Sequence, residues 1–129
     1  MIILDTHIWV WWVQQDERLT QQYQILLQAN QANGLGVSIY SCWEVSKLVE
    51  YNRLVLPCSL EEWFKIALAY PGVQLLDLTL PIIIESTRLT GFHKDPADQI
   101  VVATAKVLGL LLLTADQKIL NYSGVKTLQ

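Results

Sequence analysis

Four acidic side chains follow predicted strands or begin predicted helices, and such positions meet at one edge of a parallel α/β sheet. They are Asp5, Glu44, Asp98 and Asp116. In open parallel sheets the functional crevice lies beyond the carboxyl ends of the strands. Four carboxylates in a low-dielectric crevice repel one another, and a hard divalent cation would relieve that repulsion. Because oxygen ligands suit Mg²⁺ or Mn²⁺, these residues indicate metal-assisted attack of water on a phosphoryl group.

The segment Phe92–Gln99 places two of the chain's carboxylates at the start of one helix. Asp95 stands at the N-cap position, Pro96 at the first helical position, and Asp98 three residues after the cap. A capping acid and a second acid that complements the helix dipole would explain both residues without any function. Because other acids are predicted at the same edge, we assign Asp98 to the candidate metal site and Asp95 to the turn that orients it.

The other three acids also have structural explanations. Asp5 or Thr6 could cap the helix after the first strand, Ser41 and Glu44 have the spacing of a capping box, and Asp116 could cap the helical turn that follows it. The sequence leaves these alternatives open. We favour metal ligation for each acid because all four fall at one predicted edge.

Apolar runs bounded by turn residues alternate with helical patterns along the chain. Strands are predicted at 1–4, 36–40, 73–78 and 110–114, with an additional edge strand at 125–128. Helices are predicted at 8–13, 17–32, 60–70, 79–89 and 100–108, and one more begins after Ser41. This alternation implies right-handed crossovers between parallel strands. We therefore predict a three-layer α/β/α fold with a central, mainly parallel sheet of four to five strands, in a single domain spanning residues 1–129.

Composition excludes several classes of protein. The net charge of −3 argues against a broad basic surface that binds nucleic acid by counterion release alone, but leaves room for a local phosphate site. Cys42 and Cys58 lack the spacing of a zinc site or a disulfide framework. No apolar run reaches the roughly 18 residues of a membrane span, and the N-terminus has no basic segment typical of a signal peptide. We expect a cytoplasmic protein without membrane association.

The segment Ile8–Val13 is apolar on all sides and contains three of the five tryptophans in the chain. Such a segment is either a buried helix or a helix partly exposed for a partner protein. The sequence does not decide between them.

Four short fragments of the chain resemble the PIN-domain family, and in particular the VapC-type toxins of toxin–antitoxin pairs. The fragments are Leu4–His7, Ser41–Glu44, His93–Asp98 and Leu113–Asp116, and they span nearly the whole chain in the order of the family. The resemblance implies a ribonuclease that uses Mg²⁺ or Mn²⁺, forms a homodimer and is neutralised by a cognate antitoxin.

The same resemblance implies roles for individual residues. Asp5, Glu44, Asp98 and Asp116 would form the acidic catalytic and metal-binding set, with Thr6, Asp95 and Thr114 in support. Thr114 has an equally good explanation as the end of a strand. One departure concerns the residue after the last aspartate of the motif, which is Arg in many relatives and Gln99 here. This difference puts in doubt an ion pair or phosphate contact from that position and leaves the acids intact.

Several basic or aromatic side chains near these acids are weaker candidates for substrate contact. His93 could touch substrate, and Lys94 is the basic residue nearest to the motif, although an ordinary turn histidine and a solvated lysine are the alternatives. Lys47 and Arg53 lie one to two turns beyond Glu44 and are further candidates for a phosphate contact.

Metal-dependent hydrolysis of RNA is the function that these residues favour, and two alternatives compete with it. A phosphatase or phosphotransferase that acts through an aspartyl phosphate would need a second Asp two residues after Asp5, where this chain has His7. A catalytically weak PIN-like module that only binds RNA or protein would be marked by loss of an acid, and all four acids are present.

Overall fold

A four-stranded parallel sheet forms the centre of the computed structural model, which describes residues 1–128. The strands are β1 (Ile2–Leu4), β2 (Leu35–Ser38), β3 (Val73–Leu76) and β4 (Leu112–Leu113). Their order across the sheet is β3-β2-β1-β4, and each neighbouring pair is parallel. The predicted α/β/α architecture is therefore confirmed, with four strands.

Seven α-helices connect or flank these strands in the described residues. They are α1 (Thr6–Gln14), α2 (Gln21–Asn30), α3 (Ile39–Glu50), α4 (Leu60–Ala67), α5 (Leu80–Ser86), α6 (Pro96–Leu108) and α7 (Gln117–Leu120). A short 3₁₀ turn, Gln31–Asn33, follows α2. Within residues 1–128 no helix is long and apolar enough to cross a membrane.

The layers arise because successive side chains of a strand point to opposite faces of the sheet. In β1, Ile2 and Leu4 join a buried cluster that contains Trp9 of α1 and Trp63 of α4. Ile3, between them, packs with residues of α6 and α7 in a second cluster. Each residue of β1 is thus buried, as expected for a central strand that is covered on both sides.

Several predicted boundaries are wrong by a few residues. The strand predicted at 36–40 ends at Ser38, and the helix predicted to begin after Ser41 begins at Ile39, because the Ser38 hydroxyl accepts the backbone N–H of Tyr40 at 3.1 Å and caps α3. The strands predicted at 73–78 and 110–114 are also shorter, since neighbouring strands pair with only part of each apolar run.

Three helices and the C-terminal strand also differ from the sequence prediction. The helices predicted at 17–32, 60–70 and 79–89 are shorter than expected. The predicted cap of α4 at Ser59 is confirmed, because the Ser59 hydroxyl accepts the N–H of Glu62. The edge strand predicted at 125–128 is reduced to a single parallel bridge between Leu112 and Thr127. The last residue of the predicted 1–129 domain, Gln129, lies outside the described residues, and the single-domain assignment stays a prediction.

The tryptophan-rich segment is mostly a buried helix. Trp9 is 0% exposed and lies edge-on to Trp63, with 5.1 Å between the ring centroids. Trp11 and Trp12 are half-buried and pack against the same cluster. The core interpretation therefore holds for Trp9, while the other two rings keep part of their surface in solvent.

We expect Trp9→Ala to lower the free energy of unfolding by about 3–5 kcal/mol, the usual cost of emptying a buried tryptophan site. Trp43 is 53% exposed on α3 and supplies the control, because Trp43→Ala removes much less buried surface than Trp9→Ala. Urea denaturation followed by circular dichroism would measure both. Equal losses in the two variants would contradict the burial described above.

Candidate functional site

A cavity of about 220 Å³ opens at the carboxyl edge of the sheet, and three of the predicted acids line it. Asp5 directly follows β1, Glu44 lies on α3, and Asp98 lies in the first turn of α6. The fold brings them together because α6 packs against the central strand β1, while α3 packs against β2, α1 and α6. Asp116 does not line the cavity, although its charge acts on Asp98.

Asp5 is almost completely buried, at 3% exposure, and both of its carboxylate oxygens have hydrogen-bond donors. Oδ1 accepts the N–H of Thr6 at 2.8 Å, so Asp5 caps α1. Oδ2 accepts the hydroxyl of Thr114 at 2.7 Å, and Nδ1 of His7 lies 3.5 Å from the same oxygen. The capping explanation for Asp5 is thus correct, and it is compatible with a position in the cavity wall.

Thr114 joins the ends of β1 and β4. Its hydroxyl donates to Asp5 and accepts the N–H of Asp116 at 3.0 Å. Asp116 in turn caps α7, because its Oδ1 accepts the N–H of Lys118 at 2.8 Å. The predicted structural role of Asp116 is therefore present, and Thr114 does bond to a candidate ligand carboxylate.

Glu44 lies in the second turn of α3, so the predicted capping box from Ser41 to Glu44 is wrong. Ser38 caps the helix, and Ser41 is buried inside it with its Oγ 2.7 Å from the Oγ1 of Thr6. Burial raises the pKa of Glu44, hydrogen bonding with Thr6 opposes this effect, and the charges of Asp5 and Asp95 add to it. Capping no longer explains Glu44, which faces the other acids across the cavity.

Asp98 has the most strongly raised pKa in the site. Desolvation raises its pKa to about 7, and the charges of Asp5, Asp95, Asp116 and Glu44 contribute in the same direction. Its Oδ2 lies 3.0 Å from Nε2 of His93. A carboxyl group that burial and four neighbouring acids hold partly protonated near neutral pH is a group that a cation would ionise.

Asp95 is the N-cap of α6, as predicted, and accepts the N–H groups of Ala97 at 3.0 Å and Asp98 at 3.4 Å. Gln99 donates from Nε2 to the carbonyl of His93 at 3.1 Å. This amide therefore holds the loop before α6. Lys94 is exposed and does not line the cavity.

Sequence reasoning missed the part played by His7. Its Nε2 accepts the N–H of Ala115 at 3.0 Å, so a neutral ring carries its proton on Nδ1, which faces Asp5. His7 also packs against Trp11, with 4.9 Å between the ring centroids. The position of His7 two residues after Asp5 was the only signal in the sequence, and the contact with Ala115 depends on the pairing of β1 with β4.

The sequence matches the PIN domain family over residues 2–125. The chain belongs to the PIN domain family. It is 26% identical over 122 residues to ribonuclease VapC22 of Mycobacterium tuberculosis. The aligned region covers 94% of this chain and 91% of that protein. The resemblance to VapC-type proteins expected from the four fragments is thereby confirmed.

Solved structures with the same fold support the architecture of this PIN domain. VapBC2 from Rickettsia felis, solved bound to a DNA fragment from its promoter, is similar with a TM-score of 0.69 and 16% identity, over 99% of this chain and 98% of that chain. A toxin–antitoxin complex from Klebsiella pneumoniae gives a TM-score of 0.70 and 21% identity, over 98% and 97% of the two chains. At these identities the likeness shows the fold alone.

The donor set of this PIN domain fits a hard divalent cation in its chemistry. Every predicted ligand is a carboxylate, and oxygen donors are those that Mg²⁺ and Mn²⁺ prefer. In residues 1–128, however, no three His, Cys, Asp or Glu side chains already stand close enough together to hold one ion. The assignment of Asp5, Glu44, Asp98 and Asp116 as metal ligands therefore stays a prediction.

Asp98 should make the metal-free protein less stable as pH rises. Its pKa is about 7 in the folded chain and near 3.8 in the unfolded chain, so the unfolded chain loses this proton first and stability falls between these two pH values. The raised pKa of Glu44 acts in the same direction. The lowered pKa of Asp16, about 2, affects stability only below this range.

We therefore expect Asp98→Asn to raise the melting temperature in EDTA at pH 8 and to flatten its dependence on pH. Thermal denaturation of both proteins from pH 4 to 8 would measure this. Parallel pH profiles for the two proteins would show that Asp98 does not carry the repulsion.

Proposed function

We propose that this PIN domain is an endoribonuclease that hydrolyses RNA phosphodiesters with Mg²⁺ or Mn²⁺ as cofactor. The observation that carries the proposal is the raised pKa of Asp98, which the charges of Asp5, Asp95, Asp116 and Glu44 help to produce at one edge of the sheet. A nuclease of this kind needs a cluster of carboxylates, because its active site must bind cations next to a substrate that is itself an anion. The PIN family membership and the similarity to ribonuclease VapC22 support the same activity.

Each residue of the site has a role in this proposal. When bound, a divalent ion would polarise a phosphoryl oxygen and lower the pKa of a water. Asp5, Glu44 and Asp98 would hold it from the cavity wall, and Asp116 would contribute charge from the end of β4. Thr114 would orient two of the acids, since its hydroxyl bonds Oδ2 of Asp5 and the backbone N–H of Asp116. The hydroxyl of Thr6 donates to Ser41 and lies near enough to Glu44 to oppose the rise in its pKa.

Asp95 and His93 would act on Asp98 from either side. Asp95 caps α6 and so fixes the direction in which Asp98 leaves the helix. Nε2 of His93 lies 3.0 Å from Oδ2 of Asp98, at ion-pair distance, where it would help to hold the carboxylate in place. His93 is thus a candidate contact in the site, whereas a phosphate contact from Lys94 has no support from its position.

We also propose that the protein is the toxin of a toxin–antitoxin pair. Among the similar solved structures, one is described as a toxin–antitoxin complex and another as VapBC2. A cognate antitoxin is therefore the proposed protein partner. A homodimer is proposed as well, and the exposed apolar side chains Leu80, Ile83 and Ile84 of α5 offer a surface for it. The cytoplasm is the proposed compartment.

We expect Asp98→Asn to abolish RNA cleavage while the chain stays folded, because this change removes a proposed ligand and leaves the size of the side chain nearly unchanged. Asp77→Asn is the matched control: Asp77 also directly follows a strand, β3, but does not line the cavity. Cleavage of a labelled RNA pool and thermal denaturation would be measured for both variants.

EDTA should remove the cleavage activity, and Mn²⁺ or Mg²⁺ should restore it. Full cleavage by purified Asp98→Asn would refute the assignment of the site. RNA binding without any metal-stimulated cleavage in the unaltered protein would instead favour the alternative of a module that only binds RNA. Hydrolysis of a phosphomonoester in place of RNA would favour a phosphatase.

A further inference from the structure

Part of the cavity wall is basic and aromatic. The chain has three arginines, and two of them, Arg18 and Arg53, line the same cavity as the acids. Trp11 of α1 lines the cavity as well. Because the protein has a net charge of −3, the position of two of its three arginines beside an acidic site calls for a functional explanation.

Arg53 is the less constrained of the two guanidinium groups. It lies just beyond α3, its backbone N–H bonds to the carbonyl of Leu48 at 2.8 Å, and the preceding Asn52 has a φ of 58° that ends the helix. The residue is exposed, and within residues 1–128 no carboxylate forms an ion pair with it. Its backbone is therefore fixed while its charge is available to a ligand.

Arg18 is held in place, but its charge is shared. Its Nε and Nη2 donate to the two carboxylate oxygens of Asp16 at 3.1 and 2.7 Å. The guanidinium also lies 5.2 Å from the ring centroid of Trp11, at cation–π distance. A second anion at Arg18 would compete with Asp16.

We propose that Arg53, with a smaller contribution from Arg18, binds the RNA phosphate next to the one that is cleaved. This inference rests on the proposed function, because it places the scissile phosphate at the acids. An RNA strand must cross from the acids to the cavity rim, and a guanidinium binds phosphate oxygens through two parallel N–H groups. The arginines would act on affinity and position the strand, without touching the reacting atoms.

An acidic protein segment is the competing ligand for the same arginines. RNA is favoured because the same cavity joins the arginines to the carboxylates at which the proposed function places the scissile phosphate of the strand. A cation bound at the acids would favour a continuous polyanion that spans both parts of the cavity. The two ligands can be separated by experiment.

The test measures RNA binding on the Asp98→Asn background, so that the RNA is not cut, at a constant low Mg²⁺ concentration. The probe is a short fluorescein-labelled single-stranded RNA of mixed sequence, and its anisotropy is followed across a range of salt concentrations. Arg53→Gln should reduce the slope of log affinity against log salt by about 0.7, the contribution of one phosphate on a single strand. Its loss of affinity should accordingly be about fivefold larger at 0.1 M salt than at 1 M.

Two further variants control for structure. Arg88→Gln removes the third arginine, which is exposed after α5 and does not line the cavity, and should leave the slope unchanged. Arg53→Lys keeps the charge and should recover most of the slope but less of the affinity, because lysine cannot form the paired N–H contact. If the salt slope of Arg53→Lys is as low as that of Arg53→Gln, the proposal is overturned.

Asp16→Asn provides a gain-of-binding test. Asparagine keeps an oxygen that can accept the N–H of Arg18, now bonded at 2.9 Å, but removes the charge that neutralises its guanidinium. RNA affinity should therefore rise and the salt slope should become steeper, and Arg18→Gln in the same background should cancel this gain. Unchanged affinity in Asp16→Asn would remove Arg18 from the proposal.

The possible failures point to different conclusions. Suppose that the unaltered protein cleaves RNA, that Asp98→Asn does not, and that Arg53→Gln binds RNA as Arg88→Gln does. The phosphate contact at Arg53 is then refuted, while the proposed function stands. If the unaltered protein neither binds nor cleaves RNA, the proposed function itself fails. If Arg53→Gln weakens binding of an oligoglutamate peptide and not of RNA, the wall binds an acidic protein segment and the proposal is overturned.

Discussion

Repulsion between carboxylates at one edge of the sheet is the constraint on which the site depends. Asp98 would ionise at a far lower pH in water, and burial with four nearby acids raises its pKa to about 7. The fold tolerates this because three of the acids also cap helices: Asp5 caps α1, Asp95 caps α6 and Asp116 caps α7. Helix N-termini favour negative charge, so part of the repulsion is offset by the backbone itself.

The acids differ in the number of hydrogen-bond donors that the chain offers to their carboxylate oxygens. Asp5 is the most buried and accepts hydrogen bonds from a backbone N–H and a threonine hydroxyl. Asp98 lies near a histidine but has no comparable pair of donors, and its ionised form is correspondingly disfavoured. Both features follow from position: Asp5 lies between two paired strand ends, whereas Asp98 lies in the first turn of a helix. The cavity thus contains one carboxylate that two donors hold in place and one, Asp98, whose charge responds to its surroundings.

The parts of the fold that depend on local chemistry were predictable from the sequence. The Asp95 cap and Pro96 start of α6 and the Ser59 cap of α4 were placed correctly, since side chain and backbone lie within a few residues of each other. Features that depend on tertiary contacts were not. The sequence pattern placed the cap of α3 at Ser41, whereas Ser38 caps the helix and Ser41 is buried beside Thr6. Likewise, only the folded chain shows Arg18 beside the acids or His7 bonded to Ala115.

The junction of β2 and α3 has a consequence for how this family can vary. Ser38 is both the last residue of the strand and the cap of the helix, so no loop separates the sheet from Glu44. One inserted residue would turn Glu44 about 100° around the helix axis and away from the cavity, because an α-helix has 3.6 residues per turn. Insertions and deletions should therefore accumulate in the irregular stretch between α3 and α4, whereas the spacing from β2 to Glu44 should be invariant in length even where the residues themselves change.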